Sequence, residues 1–239
     1  MLTDQRRQII LDTLRSEGQV ASGALAQRFG LSEDTIRRDL RALAKDGLCR
    51  RTYGGAVAPG GGPLEDRAGR DAAEKARLAP RAVGLIRPGQ TVLIDAGSTN
   101  AAIAGAIPEG LGLTVVTNAL DIAAALARRT DLQLVVLGGA FDRESGACTG
   151  PQTLSALQGL SVDLMFLGTC ALDPEAGLTA YDPVQAQLKQ AMIGVARKVA
   201  AAVTVEKLGS RAPYRVAPAA RLDWLVADAP MGWADLVVL

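Results

Sequence analysis

A run of cationic and hydroxyl side chains between residues 32 and 41 has the chemistry to bind nucleic acid. Apolar residues recur there at the helical spacing i, i+4 and i+7, at Ile36, Leu40 and Leu43. The polar residues that this spacing leaves off the buried stripe are Thr35, Arg37, Arg38 and Arg41. An arginine can fork onto guanine or pair with a phosphate, and a threonine can contact a base edge or a phosphate. The pattern predicts a helix that is anchored by one face and offers the other to DNA.

The segments before this helix predict a helix-turn-helix. Ser32 can cap the helix, and the two acidic residues after it favour a helix N-terminus. The turn 30–32 connects it to a short helix that we expect to begin at a cap on Ser22 and to end at Gly30. A further helix is expected over residues 4–17, ended by Gly18.

The segment after the helix predicts a wing. Residues 48–53 alternate like a strand, and Gly54-Gly55 turns the chain back into 56–57. On such a hairpin Arg50 and Arg51 would meet the phosphate backbone. Tyr53, a hydrogen-bonding aromatic residue at the turn, completes the predicted DNA-binding set.

A second set of polar residues and glycines follows short apolar segments later in the chain. We predict strands at 91–95, 113–117, 133–137, 163–167, 200–205 and 224–227, and helices at 71–86, 99–106, 119–128, 152–158 and 183–198. This alternation predicts an α/β domain with a mainly parallel sheet, in which ligands bind beyond the carboxyl ends of strands. The candidate ligand-binding residues at those ends are Asp95, Gly97, Ser98, Thr99, Asn100, Thr117, Asn118, Gly138, Gly139, Gly168 and Thr169.

The turn after the strand 91–95 has the chemistry of an anion site, best suited to a phosphate. Gly97 permits close approach of the backbone, and Ser98 and Thr99 supply hydroxyl groups. The helix that begins there adds free backbone N–H donors and the positive end of its dipole. Glycine and hydroxyl residues are also common in such turns for purely structural reasons, so the argument depends on several strand ends carrying them together.

The composition excludes several kinds of chemistry. The 239 residues contain no histidine, which rules out His-based acid–base catalysis, Ser-His and Cys-His nucleophiles and His-ligated zinc. The three cysteines form no CxxC pair, so we expect reduced thiols and no metal site. We expect no cofactor, and the glycine-rich segment 54–63 contains no GxGxxG or P-loop pattern after a strand. With neither a signal peptide nor a long apolar run, the protein is expected to be cytoplasmic and to make no membrane contact.

Charge and glycine content divide the chain. Residues 1–58 carry ten Lys and Arg against seven Asp and Glu, whereas the remainder carries 16 against 18. The segment 54–63 is rich in glycine and proline, which is typical of a turn followed by a linker. We therefore predict a winged helix-turn-helix DNA-binding domain over 1–58, a linker over 59–70 and a larger α/β domain over 71–239.

The sequence resembles the DeoR family of bacterial transcription regulators along nearly its whole length. In the first domain the resemblance is carried by LSEDTIRRDL at 31–40, by Gly47-Leu48 and by RTYGGAV at 51–57. In the second it is carried by DAGST at 95–99, VVTN at 115–118, LGG at 137–139, FLG at 166–168, GLT at 177–179 and Lys189.

The resemblance implies a fold, an effector and a function. It implies a second domain like ribose-5-phosphate isomerases and CoA-transferases, which senses a phosphorylated sugar or related metabolite. Because one short recognition helix contacts too few base pairs to be specific alone, we also expect a homodimer or homotetramer. Ser98 and Thr99 would hold the phosphate, while Asp95, Asn118 and Lys189 would bind the sugar hydroxyls or the far end of the ligand. The chain would then repress a carbohydrate-metabolism operon by binding a double-stranded operator.

Three parts of the sequence depart from the family pattern. Val184, Gln185 and Gln187 stand where the family usually has glutamates, and the two glutamines can donate as well as accept hydrogen bonds. The family's late Asp-Ser-Ser-Lys segment reads TVEK at 204–207, so that Lys207 alone is retained as a ligand candidate. Tyr53 replaces a histidine before the paired glycines. These departures leave open whether the ligand is altered or lost.

The residues alone leave other functions open. A sugar-phosphate isomerase or CoA-transferase-like enzyme fused to a winged helix would need a carboxylate base, for which Asp95 and Asp182 are the candidates. A winged helix can also serve protein contacts, or the chain can be a scaffold without nucleic acid. The arginine cluster on the predicted helix favours a DNA-binding regulator that is not an enzyme.

Overall fold

The computed structural model describes residues 2–46, 48–52, 54–57, 69 and 71–228. The N-terminal domain runs through α1 (Thr3–Glu17), β1 (Gln19–Ala21), α2 (Ser22–Phe29), α3 (Glu33–Lys45), β2 (Arg50–Thr52) and β3 (Gly55–Val57). The strands pair antiparallel in the order β1-β3-β2. The predicted winged helix-turn-helix is therefore confirmed, with α3 as its recognition helix and β2–β3 as its wing.

The core of this domain buries the predicted stripe of α3. Ile36 and Leu40 pack with Ile10 and Leu14 of α1 in one apolar cluster. Asp39 lies on the same side of α3 and is buried, because its carboxylate accepts hydrogen bonds from Arg6 at 2.6 Å and Arg7 at 3.2 Å. This ion pair fixes the recognition helix to α1 and removes one acidic side chain from the surface.

The two predicted helix caps have different outcomes. The Ser32 side chain accepts a hydrogen bond from the Thr35 backbone N–H at 3.3 Å, so the predicted cap of α3 is confirmed. The predicted cap at Ser22 is wrong, because Ala21 precedes α2 and Ser22 is its first residue. Ser22 is buried there, and its backbone N–H donates to the Gly54 carbonyl of the wing at 2.8 Å.

The second domain is a parallel sheet with helices and short antiparallel pieces around it. It runs through α4 (Ala72–Val83), β4 (Thr91–Ile94), α5 (Ser98–Ala106), β5 (Thr114–Thr117), α6 (Leu120–Leu126), β6 (Gln133–Val136), β7 (Ala140–Asp142), β8 (Ala147–Thr149) and α7 (Pro151–Leu157). It continues through β9 (Val162–Phe166), β10 (Ala171–Asp173), β11 (Gly177–Ala180), α8 (Pro183–Val195), β12 (Ala196–Ala202), β13 (Tyr214–Ala217) and β14 (Trp224–Val226). The main sheet has the order β14-β12-β9-β4-β5-β6, and each neighbouring pair is parallel, as predicted.

Apolar side chains of the sheet alternate between two buried layers. Leu93 of β4 joins the layer that contains Met192 of α8. Val92, its neighbour on the same strand, joins the layer that contains Leu78 of α4 and Ile103 of α5. Because both faces are covered, the strands are continuous apolar runs, which is the usual signature of a parallel sheet. The layers hold the carboxyl ends of the strands in fixed positions.

Two parts of the predicted secondary structure are corrected. The helix predicted over 183–198 ends at Val195, and the strand predicted over 200–205 begins at Ala196 and ends at Ala202. The antiparallel hairpin β7–β8 and the antiparallel sheet β10-β11-β13 were not predicted at all. β12 is rich in alanine, and pairing with β9 overrides that weak propensity.

Candidate DNA-binding surface and ligand cavity

The outward face of α3 carries the predicted arginines. The side chains of Arg37 and Arg38 are 50% and 73% exposed, and Arg41 is also exposed. Arg37 pairs with Glu33 at 2.9 Å and Arg38 with Asp34 at 3.0 Å, each one helical turn earlier. Exposed pairs of this kind contribute little free energy, so either guanidinium can leave its carboxylate for a phosphate or a base at small cost.

The other predicted DNA contacts lie around this helix. Ser32 is exposed at the N-terminus of α3, and Thr35 is half-buried in its first turn. Arg51 is exposed on β2. Arg50 belongs to the same strand, but its side chain and the whole of Tyr53 lie outside the described residues. Helix, cap and wing thus present hydroxyl and guanidinium groups as a recognition helix requires.

The ligand cavity of the second domain lies where the order of the sheet reverses. From β4 the chain proceeds to β5 and β6 on one side, whereas β9, β12 and β14 lie on the other. The carboxyl ends of β4 and β9 therefore diverge into loops on opposite sides and leave a crevice between them. The predicted residues that line it are Asp95, Gly97, Ser98, Thr99, Asn100, Asn118, Gly168, Thr169, Lys189 and Lys207.

The middle of the cavity is a buried ion pair. Asp95 and Lys189 approach to 2.5 Å between Oδ2 and Nζ, with side chains 3% and 9% exposed. The same Asp95 oxygen accepts the Gly168 N–H at 2.9 Å, and the other oxygen accepts the Ala96 N–H at 2.8 Å. Lys189 also donates to the Gly168 carbonyl at 2.7 Å. These contacts join the ends of β4 and β9 to α8.

Gly168 cannot carry a side chain in this arrangement. A Cβ atom built on it would lie 2.2 Å from the Ala96 carbonyl oxygen and 2.8 Å from Asp95 Oδ2. Because both neighbours are fixed by the hydrogen bonds of the ion pair, they have no room to retreat. The glycine is therefore required so that the backbone after β9 can reach the carboxylate.

The N-terminus of α5 forms one wall of the cavity. Ser98, Thr99 and Asn100 open the helix, whose first N–H groups have no partners within the helix. Gly97 has φ 144°, and no described atom lies within 4 Å of a Cβ built on it, so the approach to these donors is open. Lys207 stands in the same cavity wall and donates to the Thr169 carbonyl at 3.1 Å.

The charge of the wall favours an anion. Among the described residues that line the cavity, two lysines stand against one aspartate. Asp95 and Lys189 compensate each other, and Lys207 and the dipole of α5 add positive charge to the wall.

Two buried oxygens of the wall lack hydrogen-bond partners within the described part of the chain. They are Asn118 Oδ1 and Thr169 Oγ1, and a third, Thr204 Oγ1, precedes the turn that carries Lys207. The Asn118 amide nitrogen donates to the Cys148 carbonyl at 3.2 Å, so the orientation of its oxygen is fixed. A buried acceptor without a partner costs free energy, and a hydroxylated ligand in the cavity could supply the missing donor.

Three predicted site residues lie outside the cavity wall that the described residues define. The Thr117 hydroxyl is buried and donates to the Ile94 carbonyl at 2.7 Å. The Gly138 carbonyl accepts the Thr153 hydroxyl at 2.7 Å, and a Cβ on Gly139 would lie 2.2 Å from that hydroxyl oxygen. These residues shape the loops after β5 and β6.

The cavity also includes residues that strand-end reasoning did not select. Ser145 and Thr149 come from the β7–β8 hairpin, and Cys170 and Gln185 come from the loop after β9 and from α8. The hairpin could not be placed beforehand because its strands have only three residues each. Gln185 had been noted only as a departure from the family pattern, and it lies in the wall while Gln187 is exposed.

The described part of the chain offers neither a cluster of metal ligands nor a membrane-spanning helix. Within the described ranges, no three His, Cys, Asp or Glu side chains come close enough together to hold a metal ion. No helix in the same part of the chain is both long enough and apolar enough to span a bilayer.

Comparison with protein families accounts for both parts of the chain. Residues 6–60 match the DeoR-like helix-turn-helix domain, and residues 70–229 match the DeoR C terminal sensor domain. The chain belongs to the DeoR family. The resemblance found in its motifs is confirmed, and this DeoR-family protein is a DNA-binding transcription regulator.

Several named regulators resemble this DeoR-family chain over most of their length. The glycerol-3-phosphate regulon repressor of Escherichia coli (strain K12) is 31% identical over 96% of this chain and 92% of its own. The HTH-type transcriptional regulator GlpR of Haloferax volcanii is 33% identical over 95% and 91%. The transcriptional repressor AccR of Agrobacterium fabrum is 35% identical over 82% and 78%.

The solved structures that resemble this DeoR-family chain cover part of it. A D-ribose-5-phosphate isomerase is 16% identical, with a TM-score of 0.41 over 56% of this chain and 52% of its own. The translation initiation factor eIF-2B of Pyrococcus horikoshii OT3 is 15% identical, with a TM-score of 0.43 over 60% and 50%. The likeness concerns the fold alone.

Proposed function

We propose that this regulator represses a carbohydrate-metabolism operon and that a phosphorylated sugar or polyol in the cavity changes its affinity for the operator. The single observation that carries the ligand class is the composition of the wall, in which an open helix N-terminus and Lys207 oppose buried oxygens that lack donors. A phosphate suits the first group and hydroxyls suit the second. One relative is named the glycerol-3-phosphate regulon repressor, and this name supports the same class of ligand.

The site supports binding rather than turnover. A general base needs a carboxylate oxygen that is available to the substrate. Both oxygens of Asp95 are engaged, by the Ala96 N–H on one side and by Gly168 and Lys189 on the other. Asp182 Oδ1 accepts the Gln185 N–H at 2.9 Å and thereby caps α8. Asp95 is thus engaged through both oxygens, and Asp182 caps α8 and is not among the residues that line the cavity.

The operator contact requires more than one copy of the chain. A single recognition helix reads too few base pairs for specificity, and paired half-sites usually mirror the symmetry of a dimer. The proposed regulator is therefore a homodimer or homotetramer that places two α3 helices on one face of the duplex.

The experiment removes the two hydroxyls at the start of α5. Glycerol 3-phosphate and a panel of phosphorylated sugars, each beside its unphosphorylated form, are added to the wild-type protein on an operator duplex recovered by selection from genomic DNA. We expect a phosphorylated compound to change the DNA affinity of wild-type protein by about 5–150-fold, the usual range of allosteric coupling. Ser98→Ala with Thr99→Ala should abolish this change and keep the basal DNA affinity.

The control pair is Thr130→Ala with Ser155→Ala, which removes two exposed hydroxyls outside the cavity wall. It should respond as wild type does. Loss of basal DNA binding in the Ser98 and Thr99 variant would show that the turn is structural. A wild-type protein that binds DNA and ignores every phosphorylated compound would refute the proposed ligand class.

A further inference from the structure

Tyr181 lies between the ligand cavity and the winged helix. It follows β11 directly, and it is partly buried against the apolar core of the N-terminal domain, the cluster that includes Ile10, Leu14 and Ile36. It is a residue of the second domain that belongs to the packing of the first. Its ring therefore joins the two domains through a contact with the core that anchors α3.

Tyr181 is not among the residues that line the cavity, but its hydroxyl interacts electrostatically with Cys170, which is one of them. Burial raises the pKa of its hydroxyl, and the nearby Cys170 thiol and Glu206 carboxyl act in the same direction. Cys170 lines the cavity, and Glu206 immediately precedes Lys207, another residue of the wall. One side chain thus packs against the core of the DNA-binding domain and interacts electrostatically with a residue of the cavity wall.

The backbone of Tyr181 leads into the helix that carries the cavity's lysine. Asp182, the next residue, caps α8 by accepting the Gln185 N–H at 2.9 Å. Gln185 and Lys189 then project from α8 into the cavity wall. Asp182 is the only residue between Tyr181 and the first residue of α8, so the backbone offers a short route from the cavity wall to Tyr181.

A second contact shows how closely the domains approach on this side. A Cβ built on Gly18, at the end of α1, would lie 2.1 Å from the Arg211 carbonyl oxygen. Ala212, the next residue, donates its N–H to the Thr179 hydroxyl of β11 at 2.9 Å. The strand that ends just before Tyr181 is therefore held against the same loop that meets α1.

We propose that Tyr181 is the positioning residue through which the occupied cavity changes the placement of the recognition helix. The inference rests on the proposed function, since it assigns the route by which that cavity acts. A ligand that moves α8 shifts the ring of Tyr181 against the core of the winged helix. By linkage, DNA bound to α3 must act back on the cavity along the same route.

The test uses that reciprocity, so it does not depend on the identity of the effector. The full-length protein is bound to the operator duplex recovered by selection, and hydrogen exchange is followed in peptides that cover residues 168–171 and 181–190. In wild-type protein we expect DNA to change the exchange of these peptides. In Tyr181→Ala the DNA should still bind, and the change at the cavity should be lost.

Two further variants separate the loss of coupling between DNA and the cavity from a loss of folding. Tyr181→Phe keeps the ring in the core, and DNA should change hydrogen exchange at its cavity as it does in wild type. Tyr214→Ala removes the exposed tyrosine of β13 and serves as the matched control. We expect DNA to change hydrogen exchange at its cavity as in wild type. If Tyr181→Ala does not fold, Tyr181→Leu replaces it, because leucine fills part of the contact with the N-terminal core but lacks the ring and the hydroxyl.

The outcomes distinguish the inference from the function on which it rests. Two results would overturn the role of Tyr181. One is a wild-type change in hydrogen exchange at the cavity when DNA binds Tyr181→Ala, and the other is no such change when DNA binds the wild-type protein. Exchange at residues 96–101 on addition of glycerol 3-phosphate and phosphorylated sugars tests the ligand class separately. A lack of protection there would refute the ligand class, while the DNA experiment would still decide the role of Tyr181.

Discussion

Lys189 has two roles that a mutation can separate. Its ammonium group is bound to Asp95 and to the Gly168 carbonyl, so it neutralises a buried carboxylate and joins α8 to the sheet. A buried ion pair adds little net stability over an apolar pair, but a buried charge that has lost its partner is costly. The pair therefore serves chiefly to hold the cavity in shape and only secondarily to stabilise the fold.

Lys189→Met should destabilise the protein by about 3–5 kcal/mol, because it leaves the Asp95 carboxylate buried without its cation. Asp95→Asn together with Lys189→Met should recover a large part of this loss, since no buried charge remains. Urea unfolding followed by circular dichroism measures both. Equal destabilisation by the single and the double variant would contradict the view that the buried charge sets the cost.

Among the elements, α3 combines a structural cap and a predicted DNA contact in one residue. Ser32 accepts the Thr35 N–H and is exposed at the N-terminus of α3. Its side chain can therefore matter for the stability of the helix, for the contact with phosphate, or for both.

Two substitutions of Ser32 distinguish these roles. Ser32→Ala should lower stability by about 1 kcal/mol through loss of the cap. Ser32→Asp should keep the stability, since aspartate caps equally well, and should weaken DNA binding, since its charge opposes the phosphates. Urea unfolding and fluorescence anisotropy with operator DNA measure the two effects. Wild-type DNA affinity in Ser32→Asp would remove Ser32 from the DNA-facing surface.

The elements also show how far the sequence alone reaches. The stripe at Ile36 and Leu40 and the cap at Ser32 predict α3, because both signals are local and agree. The parallel strands follow from their apolar runs. The cap predicted at Ser22 is wrong, because Ser22 is already the first residue of α2. Its backbone N–H donates to the Gly54 carbonyl, which is distant in sequence. The β7–β8 hairpin escaped prediction since three residues are too few to show a period.

The candidate site was predictable to a similar extent. Asp95 and Gly168 were found because the carboxyl ends of adjacent parallel strands must meet. Lys189 came from the resemblance to the family, since nothing local on α8 marks a lysine that points into a cavity. Ser145 and Cys170 enter the wall through loops whose course depends on tertiary packing. Thr117 was selected by its position at a strand end, but its hydroxyl is used within the fold.

For the molecule as a whole, the decisive feature is the contact between its two domains. Gly18 ends α1 with φ 75°, where any other residue is strained, and it also faces the Arg211 carbonyl. Gly30 ends α2 with φ 65°, and no described atom lies within 4 Å of a Cβ built on it. The two glycines have the same backbone role, and they differ in their neighbours.

This difference gives a matched pair of variants. Gly30→Ala should cost about 1–2 kcal/mol, the strain of a left-handed residue with a side chain. Gly18→Ala should cost more, because its methyl group also meets Arg211, and it should raise hydrogen exchange around residues 211–212. Urea unfolding and exchange measurements compare the two. Equal costs and unchanged exchange in Gly18→Ala would contradict a close contact between the domains.

The most direct measurement is fluorescence anisotropy of the purified protein on a duplex enriched from genomic fragments, beside a scrambled duplex of the same composition. Wild-type protein should prefer the enriched duplex, and its affinity should fall linearly with salt on a logarithmic scale as phosphate contacts release counterions. A phosphorylated sugar or glycerol 3-phosphate should shift the affinity, and Arg37→Ala with Arg38→Ala should abolish the preference. Equal, salt-independent affinity for both duplexes, with no shift on adding any phosphorylated compound, would contradict a regulator that joins this recognition helix to this cavity.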